Sequence, residues 1–127
     1  MPLVLVVADE PWIHNEVHGA LALPGYTLAD HSDPASAAAA VLDTTPDAVI
    51  VDLQIGAMGG MAVTRAIRQE EIAAGAVHVP IVMLLDRRAD AFLARRAGAG
   101  AWLQKPFEAH ELRDAIDAAR RAIAAAE

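Results

Sequence analysis

Short apolar runs of strand length recur along this chain, and each is separated from the next by a segment with helical spacing. The runs cover residues 3–8, 26–29, 48–51, 81–85 and 101–103. Runs that are apolar at every position are expected where a strand is buried on both faces, as in a parallel sheet. Five strand–helix repeats with right-handed crossovers predict an open parallel α/β sheet with helices on both faces.

The segments between the runs carry the start and stop signals of helices. A helix is expected to begin at Pro11 and to end near Pro24, and a second follows the Asp33-Pro34 step, where an N-cap residue precedes a proline. Gly98 is placed to stop a short fourth helix. The last helix has its apolar residues four, three and four apart, at Leu112, Ile116, Ala119 and Ile123.

Composition narrows the class of protein. The 127 residues are 55% hydrophobic but only 4% aromatic, which predicts one domain, residues 1–127, with an aliphatic core. A net charge of −7 disfavours direct nucleic-acid binding by this domain, and the lack of cysteine excludes disulfides and thiolate metal sites. No apolar run has the length of a membrane helix, and no signal sequence is evident, so a cytoplasmic protein without membrane contact is expected.

The final helix runs through residues 122–126 without a glycine stop. Two explanations stay open at this point: the domain was excised from a longer protein, or the end of the helix frays.

Charged side chains follow the predicted strands directly. Asp9 and Glu10 come after the first run, Asp52 after the third, Asp86 after the fourth, and Lys105 after the fifth. In open α/β sheets, ligands bind beyond the carboxyl ends of the strands. Carboxylates that converge there repel one another and call for a cation, and an all-oxygen ligand set favours Mg²⁺.

Four motifs together are specific to one family. They are VVADEP at 6–11, VIVDL at 49–53, RAGAGA at 96–101 and WLQKPF at 102–107. In order and spacing, over essentially the whole chain, they resemble the receiver domains of two-component response regulators. The resemblance implies a flavodoxin-like (βα)5 fold with strand order 2-1-3-4-5, in which Asp9 and Asp52 face one another across strands 1 and 3.

The resemblance also implies a function. Asp52 would accept a phosphoryl group from a phosphohistidine on a sensor histidine kinase or phosphotransfer protein. Mg²⁺ would be held by Asp9, Asp52 and the backbone carbonyl of Gln54, and Lys105 would pair with the phosphoryl group. Such a chain is a signalling domain rather than an enzyme.

Two departures from the family pattern affect the expected site. Ala8 stands where receivers usually carry a second acid, which predicts weakened Mg²⁺ binding, and Glu10 is the one neighbouring acid that could compensate. Leu85 replaces the usual Thr or Ser, and leucine cannot donate a hydrogen bond to the phosphoryl group.

Three further positions differ in ways that bear on switching. Gly56 replaces a common proline and predicts a looser loop. Trp102 stands where receivers commonly carry the Tyr or Phe that changes position on activation, and Leu85 fills the space that this side chain would enter. Asp86 would repel phosphate if its side chain pointed inward.

Three functions follow as alternatives. The first is a phosphorylatable receiver, and the second is a pseudo-receiver that serves as a phosphorylation-independent interaction or dimerisation module, with helix 4, strand 5 and helix 5 as the dimer face. The third, a flavodoxin-like enzyme or flavin carrier, is disfavoured because the first strand–helix loop is acidic and lacks phosphate-binding Gly, Ser or Thr. His14 and His18 lie four residues apart on one predicted helix but lack the adjacent Glu of the zinc-binding motif.

Overall fold

A computed structural model, which describes residues 2–22 and 25–126, contains a five-stranded parallel sheet. The strands are β1 (Leu3–Val7), β2 (Thr27–His31), β3 (Ala48–Asp52), β4 (Ile81–Leu85) and β5 (Ala101–Gln104). Their order in the sheet is β2-β1-β3-β4-β5, which confirms the predicted flavodoxin-like topology. Val7 of β1 pairs with Val51 of β3, so these two strands end side by side.

Five α-helices connect the strands and cover the sheet. They are α1 (Pro11–Leu21), α2 (Ala37–Thr44), α3 (Gly60–Ala74), α4 (Ala91–Ala97) and α5 (Ala109–Ala126), with short 3-10 turns at Pro34–Ser36 and Arg88–Asp90. The described part of α1 ends at Leu21, and Pro24, its predicted stop, lies outside the described residues. Among the described residues, none of the helices combines the length and apolar character needed to cross a bilayer.

The side chains of each central strand alternate between two apolar clusters, one on each face of the sheet. Val51 and Met83 pack with residues of α2, α3 and α4. Ile50 and Leu84 pack with residues of α1 and α5. Because successive side chains of a strand point to opposite faces, both clusters are supplied by the same continuous apolar runs.

Four of the five strands differ from their predicted bounds by one or two residues, and β4 alone agrees at both ends. The second strand extends to His31 rather than ending at Ala29, because it pairs with β1 along its length, up to Val7 with His31. It is an edge strand, so polar residues at its end are tolerated, and the apolar run understates its extent. The third strand includes Asp52, which places the carboxylate within the sheet edge rather than in the loop after it.

Candidate functional site

Three charged side chains meet at the carboxyl end of the sheet. Asp52 is the last residue of β3 and is only 1% exposed. Lys105 follows β5, and its Nζ lies 2.8 Å from Asp52 Oδ1 and 3.0 Å from Oδ1 of Asp86, the residue after β4. The structure therefore brings together three of the residues that the sequence placed at the strand ends.

The two oxygens of the Asp52 carboxylate differ in their surroundings. Oδ1 accepts hydrogen bonds from Lys105 Nζ and, at 3.3 Å, from the backbone N–H of Gln54. Oδ2 is buried and has no hydrogen-bond partner within residues 2–22 and 25–126. A buried carboxylate oxygen without a partner is costly, so Oδ2 is the atom of this site at which a cation would be most favourable.

Lys105 is held as a charged group despite its burial, its side chain being only 8% exposed. Burial of the ammonium lowers the pKa of Lys105, but hydrogen bonds to Asp52 and Asp86 outweigh this effect and raise the pKa above its ordinary value. The Nζ atom also lies 5.5 Å from the centre of the Trp12 ring, within range of a cation–π contact. Lys105 is thus a fixed positive charge beside the Asp52 carboxylate.

Asp9 lies two residues beyond the end of β1 and is exposed. Its Oδ2 accepts a hydrogen bond of 2.9 Å from the backbone N–H of Gly56. Gly56 has φ +49°, which proline cannot adopt, and a proline would also lack the N–H. The backbone N–H of Gly56 therefore anchors the β3–α3 loop to Asp9. The sequence pattern did not indicate this hydrogen bond and predicted a looser loop instead.

The remaining predicted metal positions offer fewer oxygens. Ala8 is fully buried and supplies no side-chain ligand. Glu10 is exposed at the start of α1 and makes no side-chain capping bond there. Gln54 contributes its N–H to Asp52. Within residues 2–22 and 25–126, no group of three or more acidic or histidine side chains is arranged to hold a metal ion. The side chains that fit Mg²⁺ are thus those of Asp52, through its unpartnered oxygen, and Asp9, and the backbone carbonyl of Gln54 remains available beside them.

Leu85 and Trp102 pack in the same apolar cluster beside the site. Leu85 is fully buried, so no hydroxyl is available there and the space is filled by its side chain. Trp102 is half-buried, and the Arg95 guanidinium lies 5.3 Å from its ring centre. Both residues line a cavity of about 540 Å³ that reaches Lys105. An inward movement of Trp102 would require Leu85 to move and the contact with Arg95 to break.

A histidine–aspartate network beside the site was not predicted. Asp30 of β2 accepts hydrogen bonds of 2.9 Å from His14 Nδ1 and His18 Nε2. The second ring nitrogen of His14 lies within hydrogen-bond distance of the carbonyl oxygen of Ala8. Burial raises the pKa of Asp30, but the hydrogen bonds from His18 and His14 have the larger opposite effect. The pKa of Asp30 therefore lies below its ordinary value. The two histidines that the sequence places four residues apart therefore serve to join α1 to β2.

With this geometry established, comparisons with known proteins identify the family. A sequence profile described as "Response regulator receiver domain" matches residues 4–117. The transcriptional regulatory protein KdpE of Mycobacterium tuberculosis is 36% identical over 130 residues, which cover 100% of this chain and 55% of KdpE. The DNA-binding response regulator MtrA of Mycolicibacterium smegmatis is 33% identical over 111 residues, 86% of this chain and 46% of MtrA.

Solved structures give the same result. The chemotaxis response regulator CheY4 of Vibrio cholerae superimposes with a TM-score of 0.81 at 26% identity, covering 94% of this chain and 98% of CheY4. The chain spans about half the length of the curated relatives named above, so it corresponds to one domain of those proteins. Since the profile covers most of the chain and the topology agrees, the chain belongs to the receiver domain family of two-component response regulators.

Proposed function

We propose that this domain accepts a phosphoryl group on Asp52 from the phosphohistidine of a sensor kinase or phosphotransfer protein. The observation that supports this most strongly is the buried Asp52 carboxylate. One of its oxygens has no hydrogen-bond partner among the described residues, and the Lys105 ammonium lies 2.8 Å from the other. A carboxylate needs no general base to act as a nucleophile. The chemistry that remains is positioning and neutralisation of charge.

In the proposed transfer, a bond forms between phosphorus and an Asp52 oxygen as the bond between phosphorus and the histidine nitrogen breaks. Lys105 would donate to a phosphoryl oxygen and offset its negative charge. Asp52, Asp9 and the backbone carbonyl of Gln54 would hold Mg²⁺. When bound, the ion would offset the repulsion between the carboxylate and the incoming phosphoryl group.

A magnesium titration tests the metal part of this proposal. Trp12 is 50% exposed and stacks near Lys105, so its fluorescence should respond when a cation binds beside Asp52. We expect saturable but weak binding, because Ala8 removes one acid from the usual set. Asp9→Asn should weaken the response further, by about tenfold in affinity. A flat titration in the wild-type domain would contradict a magnesium site at this position.

Phosphorylation itself is tested by incubating the domain with acetyl phosphate and Mg²⁺ and recording its intact mass. The wild-type domain should gain the mass of one phosphoryl group, and Asp52→Asn should gain none. Chelation of Mg²⁺ should also prevent the gain. An unmodified wild-type mass after hours, under conditions that label an ordinary receiver, would contradict the proposal.

Leu85 and Ala8 favour a second candidate, a pseudo-receiver that binds partners without phosphorylation. In that case the folded domain would act as an interaction or dimerisation module. The face formed by α4, β5 and α5 is the candidate surface, since Phe92 is 55% exposed there beside Arg95. The two candidates differ in one result: only the first predicts that partner binding or dimerisation changes after labelling of Asp52.

The proposed setting is a longer regulator in which residues 1–127 form the receiver domain. KdpE is called a transcriptional regulatory protein and MtrA a DNA-binding response regulator, and this chain matches about half of each. An attached output domain that binds DNA is therefore the proposed partner. With 17 acidic against 10 basic residues, the receiver would not itself contact DNA. We propose that the protein acts in the cytoplasm, where the kinase domains of sensor proteins reside.

A further inference from the structure

Asp86 makes a contact that the proposed phosphotransfer does not use. Its Oδ1 lies 3.0 Å from Lys105 Nζ, nearly as close as Asp52 Oδ1 at 2.8 Å. The two carboxylates differ in burial, because the Asp86 side chain is 47% exposed whereas that of Asp52 is 1% exposed. Lys105 is therefore shared between an inner and an outer carboxylate.

The backbone fixes this arrangement. The Lys105 N–H donates to the carbonyl of Leu85 at 2.8 Å, which ties the end of β5 to the end of β4. The Gln104 side chain donates to the carbonyl of Asp86 at 3.4 Å. Asp86 and Lys105, each the first residue after its strand, are therefore held opposite one another across the β4–β5 pair.

We propose that Asp86 competes within the chain for Lys105 and so restrains phosphorylation of Asp52, an inference that rests on the proposed function. A lysine ammonium has three N–H donors. Asp52 accepts a hydrogen bond from Lys105, Asp86 forms an ion pair with it at 3.0 Å, and the Trp12 ring lies 5.5 Å from its Nζ. Because two carboxylates already share the positive charge of Lys105, a phosphoryl oxygen gains the full attraction of that charge only if one of them withdraws.

Asp86 is the group that gives way most readily. Its carboxylate is half-exposed and regains water when it leaves Lys105, whereas Asp52 would remain buried without a cation. Once displaced, Asp86 still lies next to the phosphoryl group, and its negative charge opposes that group. Leu85 adds no hydroxyl that could compensate. Asp86 is thus a positioning residue that acts through Lys105.

The step can be written for a small acyl phosphate donor. The phosphorus–oxygen bond to the donor breaks, a phosphorus–oxygen bond to Asp52 forms, and the donor carboxylate leaves. Lys105 exchanges its ion pair with Asp86 for a hydrogen bond to a phosphoryl oxygen and keeps its protons. Loss of the Asp86 charge should therefore speed the reaction without altering its chemistry.

The experiment compares labelling rates with acetyl phosphate and Mg²⁺ by intact mass. Asp86→Asn removes the charge and keeps the size of the side chain, and Asp86→Ala removes both. We expect each to label about threefold to tenfold faster than the wild type. Asp43→Asn is the matched control, because Asp43 is an exposed acid on α2 and the same charge is lost. Its rate should equal that of the wild type.

A salt series separates a charge effect from a structural one. The ratio of the Asp86→Asn rate to the wild-type rate should fall toward one as salt rises from about 0.05 M to about 0.5 M. A merely structural change would leave the ratio constant with salt, and that result would overturn the inference.

The outcomes also separate this inference from the proposed function. Equal labelling rates for the wild type and both Asp86 variants would overturn the proposed competition of Asp86 for Lys105 and leave Asp52 as the acceptor. Labelling of Asp86→Asn but not of the wild type would support the competition and show that Asp86 blocks the native site. If none of these proteins became labelled, both proposals would be contradicted, since removal of the competing Asp86 carboxylate would not have made Asp52 reactive.

Discussion

Gly60→Ala is expected to lower the free energy of unfolding by about 2–3 kcal/mol. Gly60 begins α3, and a Cβ atom there would lie 2.6 Å from the carbonyl oxygen of Asp52 and 2.7 Å from the Cα of Leu53. Both atoms belong to the backbone at the end of β3, so neither can swing aside as a side chain would. The start of α3 and the end of β3 must separate, and urea unfolding measures the cost.

The matched control for this substitution is Gly19→Ala. Gly19 is an exposed residue of α1, and its Cβ would meet nothing within 4 Å in the described part of the chain. Alanine has the higher helix propensity, so this variant should be more stable than the wild type by about 0.5–1 kcal/mol. Unfolding of Gly60→Ala at the same urea concentration as the wild type would contradict the close packing of the start of α3 against the backbone of Asp52.

Lys105→Met is expected to slow labelling by acetyl phosphate by about a hundredfold, because it removes the charged donor from the phosphoryl group. It should also lower the free energy of unfolding by about 2–3 kcal/mol at neutral pH, since the buried Asp52 carboxylate loses its main partner. Intact-mass kinetics and urea unfolding measure the two effects separately.

The stability effect has its own control. In an Asp52→Asn background the buried carboxylate that pairs with Lys105 is absent, so Lys105→Met should lower the free energy of unfolding much less there. A double-mutant cycle gives the coupling energy between the two residues. The pH dependence follows from the raised pKa of Lys105, whose ordinary value is 10.5. The contribution of protonated Lys105 to the free energy of unfolding is fully present below that value and is lost as the pH rises through the raised pKa. An equal cost of Lys105→Met in both backgrounds would contradict a stabilising Lys105–Asp52 pair.

Most of the fold was predictable because the central strands are buried on both faces. A strand such as Ile81–Leu85 must be apolar at every position, so the bounds of β4 agree with the predicted run. The edge strand β2 was less well defined, since Asp30 and His31 belong to it although neither is apolar. Hydrophobicity reports burial, and an edge strand is held by hydrogen bonds that hydrophobicity does not report.

The site was predictable to the level of strand ends but not of individual hydrogen bonds. Parallel strands bring Asp52, Asp86 and Lys105 to one edge, and the sequence shows this. It does not show that Lys105 is shared between the two carboxylates, because that depends on side-chain direction and on the register of β4 and β5. Likewise, the bond from Gly56 to Asp9 depends on a positive φ that the residue type permits but does not require.

The central claim is that the phosphoryl group is carried by the Asp52 carboxylate. An acyl phosphate is reduced by borohydride to an alcohol, which converts a phosphorylated aspartate to homoserine and marks its position. After labelling with acetyl phosphate and Mg²⁺, reduction and peptide mass analysis should find homoserine at position 52 and no other position. Homoserine at a different acidic residue, or at none in a domain shown to be folded, would contradict the assignment of Asp52 as the phosphoryl acceptor.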